Sequence, residues 1–328
     1  MILTLTLNPS IDRTVELTGT LERGAVQRAG AHAAEVAAGK GVNVARVLAA
    51  AGVAARAVVL ADPGDRFAAL LAYDGLDAVC VPVGAPVRTN IAITEPDGTT
   101  TKVNEPGAPL DDEAVAAMLA AVREHAAGAD WLVVAGSLPA GARAAIVVDA
   151  IAAARAAAPG IRIAVDTSGA PLAAAVAAGG IDLAKPNDEE LEELLRLAPG
   201  TIDGPATAAA AARSLVGRGV GTVLLTLGGD GAVLADASQA LRAMPPPTTV
   251  RSTVGAGDAS LAGWLIADAA GQGAARRLAQ AVAHGSAAAA MAGTGIPVPA
   301  DADAARVAVA SIDPSPTAAP AAADPQEH

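Results

Sequence analysis

From residue 111 onward, short runs of apolar residues alternate with longer stretches whose apolar positions recur every three or four residues. Trp131–Ala135, Ile161–Asp166, Ile181–Ala184 and Thr222–Leu227 are the apolar runs. The stretches between them, with helices expected from Asp111 to about Ala127, up to Ala157, from Pro171 and through Leu197, carry the helical period. Strands without a polar face are buried on both sides, which predicts βαβ units, a parallel sheet and right-handed crossovers. The amino-terminal part repeats the theme. Ile2–Leu7 alternates as a strand, Ala57–Ala61 and Ala78–Val83 follow, and helices are expected from Val42 to Gly52 and over Arg66–Tyr73. Beyond Thr222–Leu227 the pattern predicts a strand at Ala232–Ala235 and helices over Leu261–Ala270, Ala274–Ala290 and Ala302–Ser311.

Two regions break this rhythm. Arg88–Thr94 and Thr99–Asn104 alternate around Glu95-Pro96-Asp97-Gly98, a hairpin signal. Val15–Leu17 and Gln27–Val36 read as short strands. A small sheet projecting from the main α/β body accounts for the hairpin. From Asp313 proline, alanine and serine dominate without periodicity, so residues 313–328 are expected to be a disordered tail.

At 328 residues the chain holds one large α/β domain or two ordinary ones. Hydrophobic content is 52% with only 1% aromatic, so alanine, valine, leucine and isoleucine must build the core. The net charge of −12 argues against nucleic acid or a membrane surface as partner, since both select a basic face. Cys80 is the only cysteine, which rules out an internal disulfide and fits a reducing, cytoplasmic setting. The start MILTLTLNPS lacks the basic flank of a signal peptide, and no apolar stretch has the length of a membrane span. The only lysines are Lys40, Lys102 and Lys185.

Candidate chemistry concentrates at strand ends and glycine turns. In Val254-Gly255-Ala256-Gly257-Asp258 two glycines leave backbone N–H groups free to converge where a helix begins, a place suited to a phosphate or developing anion. Asp258 at its edge is positioned to take a proton from a hydroxyl. A glycine turn with an acidic residue in the first helical turn explains the same residues without a ligand. Gly39-Lys40-Gly41-Val42-Asn43 places a lysine and an asparagine at another helix start. It is not a nucleotide P-loop, because Gly41 stands where serine or threonine must follow the lysine. Lys40 and Asn43 suit a phosphate or sugar hydroxyl, or serve as a solvated lysine and a cap. Asp12, expected in a loop beyond the first strand, and Arg88 at the hairpin base are weaker candidates. Asp166, Lys185 and Asn187 end strands on the edge where open α/β sheets bind ligands. Asn187 with Glu190 forms a capping box, which competes with a metal role for Glu190. The glycines of Thr226-Leu227-Gly228-Gly229-Asp230-Gly231 fit either a hairpin turn or a backbone approached by a nucleotide.

Taken in order, TLNPSIDRT from Thr6, GKGVNVAR from Gly39, GSLP from Gly136, KPNDEE from Lys185, TLGGDGA from Thr226, STVGAGD from Ser252 and GSAAAAMAGTG from Gly285 resemble the ribokinase-like (PfkB) family of sugar kinases. VRTN at Val87 and NEPG at Asn104 place the resemblance in its phosphosugar branch. The resemblance covers the first strand to about Ile296. It implies a ribokinase-like three-layer α/β/α domain over residues 1–312, with a mostly parallel sheet and a β-sheet lid from about 12–36 and 86–105. The implied reaction moves the γ-phosphoryl group of ATP to the C6 hydroxyl of fructose 1-phosphate. Tagatose 6-phosphate and fructose 6-phosphate are the alternative acceptors, and a non-catalytic phosphosugar sensor is the alternative of another class. By resemblance Asp258 is the base and Gly255, Ala256 and Gly257 form the anion hole. Asp12, Gly39, Lys40, Asn43 and Arg88 hold the phosphosugar; Lys185, Asn187, Thr226, Gly228, Gly231 and Gly257 meet ATP. Asn187 and Glu190 orient Mg²⁺ through water, and the lid pairs two copies as a homodimer. Ala259, Ala38 and Ala135 stand where relatives commonly have serine, glycine and serine.

Overall fold

The apolar runs lie side by side in one sheet. The structure, a computed structural model, describes residues 1–312 apart from Ala292 and Thr294; the expected tail lies outside the described residues. The chain begins with β1 (Ile2–Thr6), β2 (Ser10–Leu17), β3 (Ala29–Ala38) and α1 (Lys40–Ala50). β4 (Ala55–Leu60), α2 (Arg66–Tyr73) and β5 (Ala78–Val81) follow, then the hairpin β6 (Arg88–Thr94) and β7 (Thr100–Asn104). The regular part comprises α3 (Asp112–Ala126), β8 (Trp131–Ala135), α4 (Ile146–Ala157), β9 (Arg162–Asp166), α5 (Gly169–Ala178) and β10 (Leu183–Ala184). It continues with α6 (Asp188–Leu195), α7 (Pro205–Val216) and β11 (Thr222–Thr226). β12 (Ala232–Asp236), β13 (Ala240–Met244), α8 (Ala256–Ala269), α9 (Ala274–Ala289) and β14 (Ala308–Ser311) complete it.

The ten-stranded sheet has the order β14-β13-β12-β11-β10-β9-β8-β1-β4-β5. From β11 to β5 every pairing is parallel, and β12, β13 and β14 add antiparallel strands at one edge. Side chains alternate between its faces, as strand geometry requires. Leu3, Leu5, Leu132 and Val134 pack with Met118, Ile151, Leu172, Leu191 and Leu215 of α3–α7. Ile2, Trp131 and Val133 face the other way, with Val44 and Leu48 of α1, Leu261 of α8 and Leu278 of α9. The expected three layers are those observed. β2, β3, β6 and β7 form the second sheet, in the order β3-β2-β6-β7, with Asp12 opposite both Val36 and Asn90.

Three expectations change. Asp12 lies within β2 and not in a loop, because the chain turns at Asn8-Pro9 and pairs at once with β3 and β6. The helix expected over Ala302–Ser311 is a short 3-10 turn, Ala304–Arg306, followed by β14. Alanine favours helix locally, but the open edge of β13 offers a ladder from Leu241↔Ser311 to Met244↔Ala308, and the ladder prevails. α7 and β13 arise where the sequence carried no clear period. Alanines surround α7 on every side and erase the contrast between its faces.

Opposite the carboxyl ends of the strands, Asp268 of α8 ties the layers together. Its buried carboxylate accepts from Trp131 Nε1 at 2.9 Å and pairs with Arg162 at 2.9 Å and Arg277 at 3.0 Å. The Arg162 guanidinium stacks 4.4 Å from the Trp131 ring centre, and the two tryptophans meet edge to face at 5.6 Å. Asp268→Ala strands an indole N–H and loosens two arginines that still reach solvent. It is expected to lower stability by about 2–3 kcal/mol, read as a lower urea midpoint in tryptophan fluorescence.

Candidate active site

The strand order reverses at β1: the chain first adds β4 and β5 on one side, then β8 on the other. Open α/β sheets form their ligand crevice beyond the carboxyl ends of the strands at such a point. β9 ends there in Asp166, and β10 delivers Lys185 immediately after its last residue. α1 and α8 begin over the same edge, presenting Lys40, Asn43 and Asp258.

Asp166 is the hub of this crevice. Its buried carboxylate takes Lys40 Nζ on Oδ1 at 2.8 Å and Lys185 Nζ on Oδ2 at 3.1 Å. Burial alone would raise its pKa; Lys185 and Lys40 outweigh that and hold the carboxyl below the ordinary range. The charge of Asp166 in turn raises Lys40, against the opposing effect of burial. Glu190 Oε1 lies 3.9 Å from the same Lys40 ammonium.

Asp258 sits in the first turn of α8, buried, and accepts a hydrogen bond from Asn43 Nδ2 at 2.7 Å. Its pKa is pushed up to about 6, by burial first and by the nearby Asp166 second. The Asn43 bond, Lys40 and Lys185 pull the other way. A carboxyl poised near neutrality, within a crevice, suits proton transfer. No side chain caps α8, and among the described residues the N–H groups of Gly257 and Asp258 have no acceptor. Gly255 holds φ at 76°, a conformation costly for other residues, and so turns the chain into this open helix start. A Cβ on Gly257 would stand 3.1 Å from Lys185 Nζ, so the missing side chain lets the ammonium lie beside those N–H groups.

The remaining candidates surround this core. Asn187 and Glu190 form the capping box reciprocally: Glu190 N donates to Asn187 Oδ1 at 2.7 Å and Asn187 N to Glu190 Oε2 at 3.0 Å. The cap reading therefore holds, and it leaves Glu190 Oε1 directed at Lys40. Thr226 pairs with Asn187 in a parallel bridge next to Lys185, and Gly228 opens the turn that follows. Gly231 has its own structural cause, because a Cβ there would overlap the Ala243 carbonyl. Gly39 caps α1 at φ 126°.

Asp12 and Arg88 lie in the small sheet, and among the described residues neither is hydrogen-bonded to the lysine–aspartate cluster. Asp12 Oδ1 accepts from Ser10 Oγ at 2.8 Å and Asn90 Nδ2 at 3.0 Å. The Arg88 guanidinium donates to the carbonyls of Asn8, Pro9 and Glu105, at 3.2, 3.3 and 2.9 Å. It thus braces the base of the small sheet. Sequence reasoning placed Asp166 on the correct edge but gave it no part, and it overlooked Asn90. An aspartate closing an otherwise apolar strand was the available signal for the first; for Asn90 the signal was its place as the last residue of the VRTN motif at Val87.

The match to the model of the pfkB family carbohydrate kinases spans residues 5–301. The 1-phosphofructokinase of Rhodobacter capsulatus is 41% identical over 272 residues, covering 81% of this chain and 83% of that protein. The 1-phosphofructokinase of Xanthomonas campestris is 39% identical over 277 residues, with the same coverage of each. The crystal structure of phosphofructokinase-2 from Escherichia coli with substrates and products superposes with a TM-score of 0.83 at 31% identity. That superposition covers 92% of this chain and 96% of the other. With the switch-point crevice and its open helix start, these similarities give one conclusion: the chain belongs to the pfkB family of carbohydrate kinases.

Proposed function

We propose that the protein transfers the γ-phosphoryl group of ATP to the C6 hydroxyl of fructose 1-phosphate, giving fructose 1,6-bisphosphate and ADP. The observation that carries this reading is the buried Asp258 beside the unpartnered N–H groups of Gly257 and Asp258 and the Lys185 ammonium. Phosphoryl transfer needs alignment and charge stabilisation far more than covalent help. Asp258 takes the proton of the acceptor hydroxyl. Gly255, Ala256 and Gly257 offer backbone dipoles to the transferring group as its charge shifts. Lys185, with Thr226, Gly228 and Gly231, holds the nucleotide. Lys40 meets the phosphosugar, with its ammonium paired to Asp166 and Glu190 and its turn set by Gly39. Asp12 and Asn43 read sugar hydroxyls, and Arg88 meets the sugar phosphate with the N–H groups it does not spend on carbonyls. Fructose 1-phosphate follows from the two 1-phosphofructokinase relatives; the likeness to phosphofructokinase-2 makes fructose 6-phosphate the second reading.

Mg²⁺ fits this donor set as a hydrated ion. No cluster of three acidic, histidine or cysteine ligands exists among the described residues, and Asp166 is taken up by two lysines. Glu190 Oε1 accepts no hydrogen bond among the described residues and lies 3.9 Å from the Lys40 ammonium. With Asn187 beside it, it could receive a water of the ion, which surrenders its waters reluctantly. When bound, the ion neutralises phosphate charge. The small sheet, about residues 12–36 and 86–105, serves as a lid that excludes water from the transfer. Its outer strand β7 is exposed throughout, including Val103, and offers an edge for a homodimer. No helix among the described residues is long and apolar enough to cross a membrane.

A coupled ADP assay with fructose 1-phosphate, fructose 6-phosphate and tagatose 6-phosphate tests the reading. Fructose 1-phosphate is expected to have the highest kcat/KM, and its failure to turn over refutes the assignment. Binding of sugar without ADP release would mark a sensor instead. The same assay across pH carries a second expectation. Asp258 must be ionised to accept a proton, so kcat/KM should fall tenfold per pH unit below about 6.

A further inference from the structure

Asn43 has two polar atoms in different situations. Nδ2 donates to Asp258 Oδ2 at 2.7 Å, while Oδ1 is buried and has no partner. The residue is fixed from below, since its backbone N–H bonds to Gly39 O at 2.9 Å in the first turn of α1. The amide therefore reaches Asp258 from a rigid helix. We propose that Asn43 is a positioning residue for the base: its Nδ2 holds the Asp258 carboxylate in its charged form and in one rotamer. Oδ1 is left as a buried acceptor for a sugar hydroxyl. This inference rests on the kinase reading of Asp258.

The surroundings of Asp258 make such a device necessary. Asp166 of β9 repels its charge; Lys40 of α1 and Lys185 after β10 attract it, and Glu190 of α6 faces Lys40. Lys40 is hydrogen-bonded to Asp166 and Lys185 is ion-paired with it, and among the described residues neither ammonium donates to Asp258. The Asn43 amide is the donor that does. Rotating the amide by half a turn would face Oδ1 to the carboxylate, an arrangement that suits only the protonated acid. Amide orientation and base ionisation are therefore linked. An unpartnered buried acceptor is unfavourable, which gives an arriving hydroxyl a reason to dock on Oδ1 and keep Nδ2 on the base.

The test uses Asn43→Ala and, as a near-isosteric second variant, Asn43→Asp. The Asp258 carboxyl is titrated by ¹³C NMR in aspartate-labelled protein without substrates, with Asp258→Asn identifying its signal. Loss of the donor should move the midpoint upward by about one pH unit in Asn43→Ala, and further in Asn43→Asp, where a like charge adjoins. The acid limb of kcat/KM should move with it. A raised KM for sugar with an unmoved midpoint overturns the proposal, since a residue that only reads the sugar has no effect on free Asp258. The NMR titration needs no turnover, so its outcome stands apart from that of the kinase reading.

Discussion

Asp258→Asn is expected to lower kcat by about 10²–10⁴-fold while sugar binding stays within a few-fold of the parent protein. Asparagine keeps the shape and can still accept from Asn43, so what it removes is the ability to take a proton. Steady-state kinetics paired with calorimetric binding of the sugar measure both quantities; near-normal turnover refutes the role. The same variant carries a second expectation of the opposite sign. Burial and Asp166 raise the folded-state pKa of Asp258 to about 6, above its ordinary value. A carboxyl raised on folding is best tolerated when protonated. Its contribution is therefore complete below the unfolded pKa and is lost as pH rises through about 6. Asp258→Asn should match the parent in stability near pH 4 and exceed it by up to ~3 kcal/mol above pH 6. A catalytic loss accompanied by a stability gain separates a poised base from a structural aspartate, whose removal would only destabilise.

Asp166→Asn should do the reverse. Its carboxylate lies between Lys40 and Lys185, and removing its charge leaves two ammoniums facing each other in a buried crevice. Breaking one partner of such a group costs about 3–5 kcal/mol, and urea unfolding should show it at neutral pH. Because its folded pKa is depressed, this contribution is present above the unfolded pKa and disappears as pH falls through the folded one. Turnover should fall about 10²-fold as the two lysines lose alignment. The acid limb should also shift. Asp166 is the second cause of the raised Asp258 pKa, so its neutralisation moves the limb to lower pH. Asn43→Ala moves it upward. Opposite shifts from two neighbours of one carboxyl would be hard to obtain from general damage to the fold, and an unmoved limb in Asp166→Asn refutes the coupling.

The sequence was most informative where one physical cause acted alone. Trp131–Ala135 and Thr222–Leu227 have no polar face, so only a buried strand accommodates them, and βαβ order with parallel pairing follows. Gly255 and Gly257 signalled a backbone that needed room, and one has a positive φ while the other lies against Lys185. The ordered motifs reached the family for the same reason, since each encodes a local backbone shape. Where two causes competed the sequence misled. Alanine propensity favoured a helix at Ala302–Ser311, but the unpaired edge of β13, distant in sequence, decided for a strand. Asp12 looked like a turn residue until β3 and β6 closed on either side of it.

The sequence by itself determined the layered α/β plan, the strand ends that carry the chemistry, and Asp258 as the base candidate, because periodicity and glycine turns are local. Only the tertiary structure decided what each charge faces. Lys40 and Lys185 are 145 residues apart, and the same Asp166 receives both. Asn43, read as a sugar contact or a cap, donates to a carboxylate 215 residues away. Ionisation and alignment depend on distances of a few ångströms in a buried site, and sequence spacing contains no such distance.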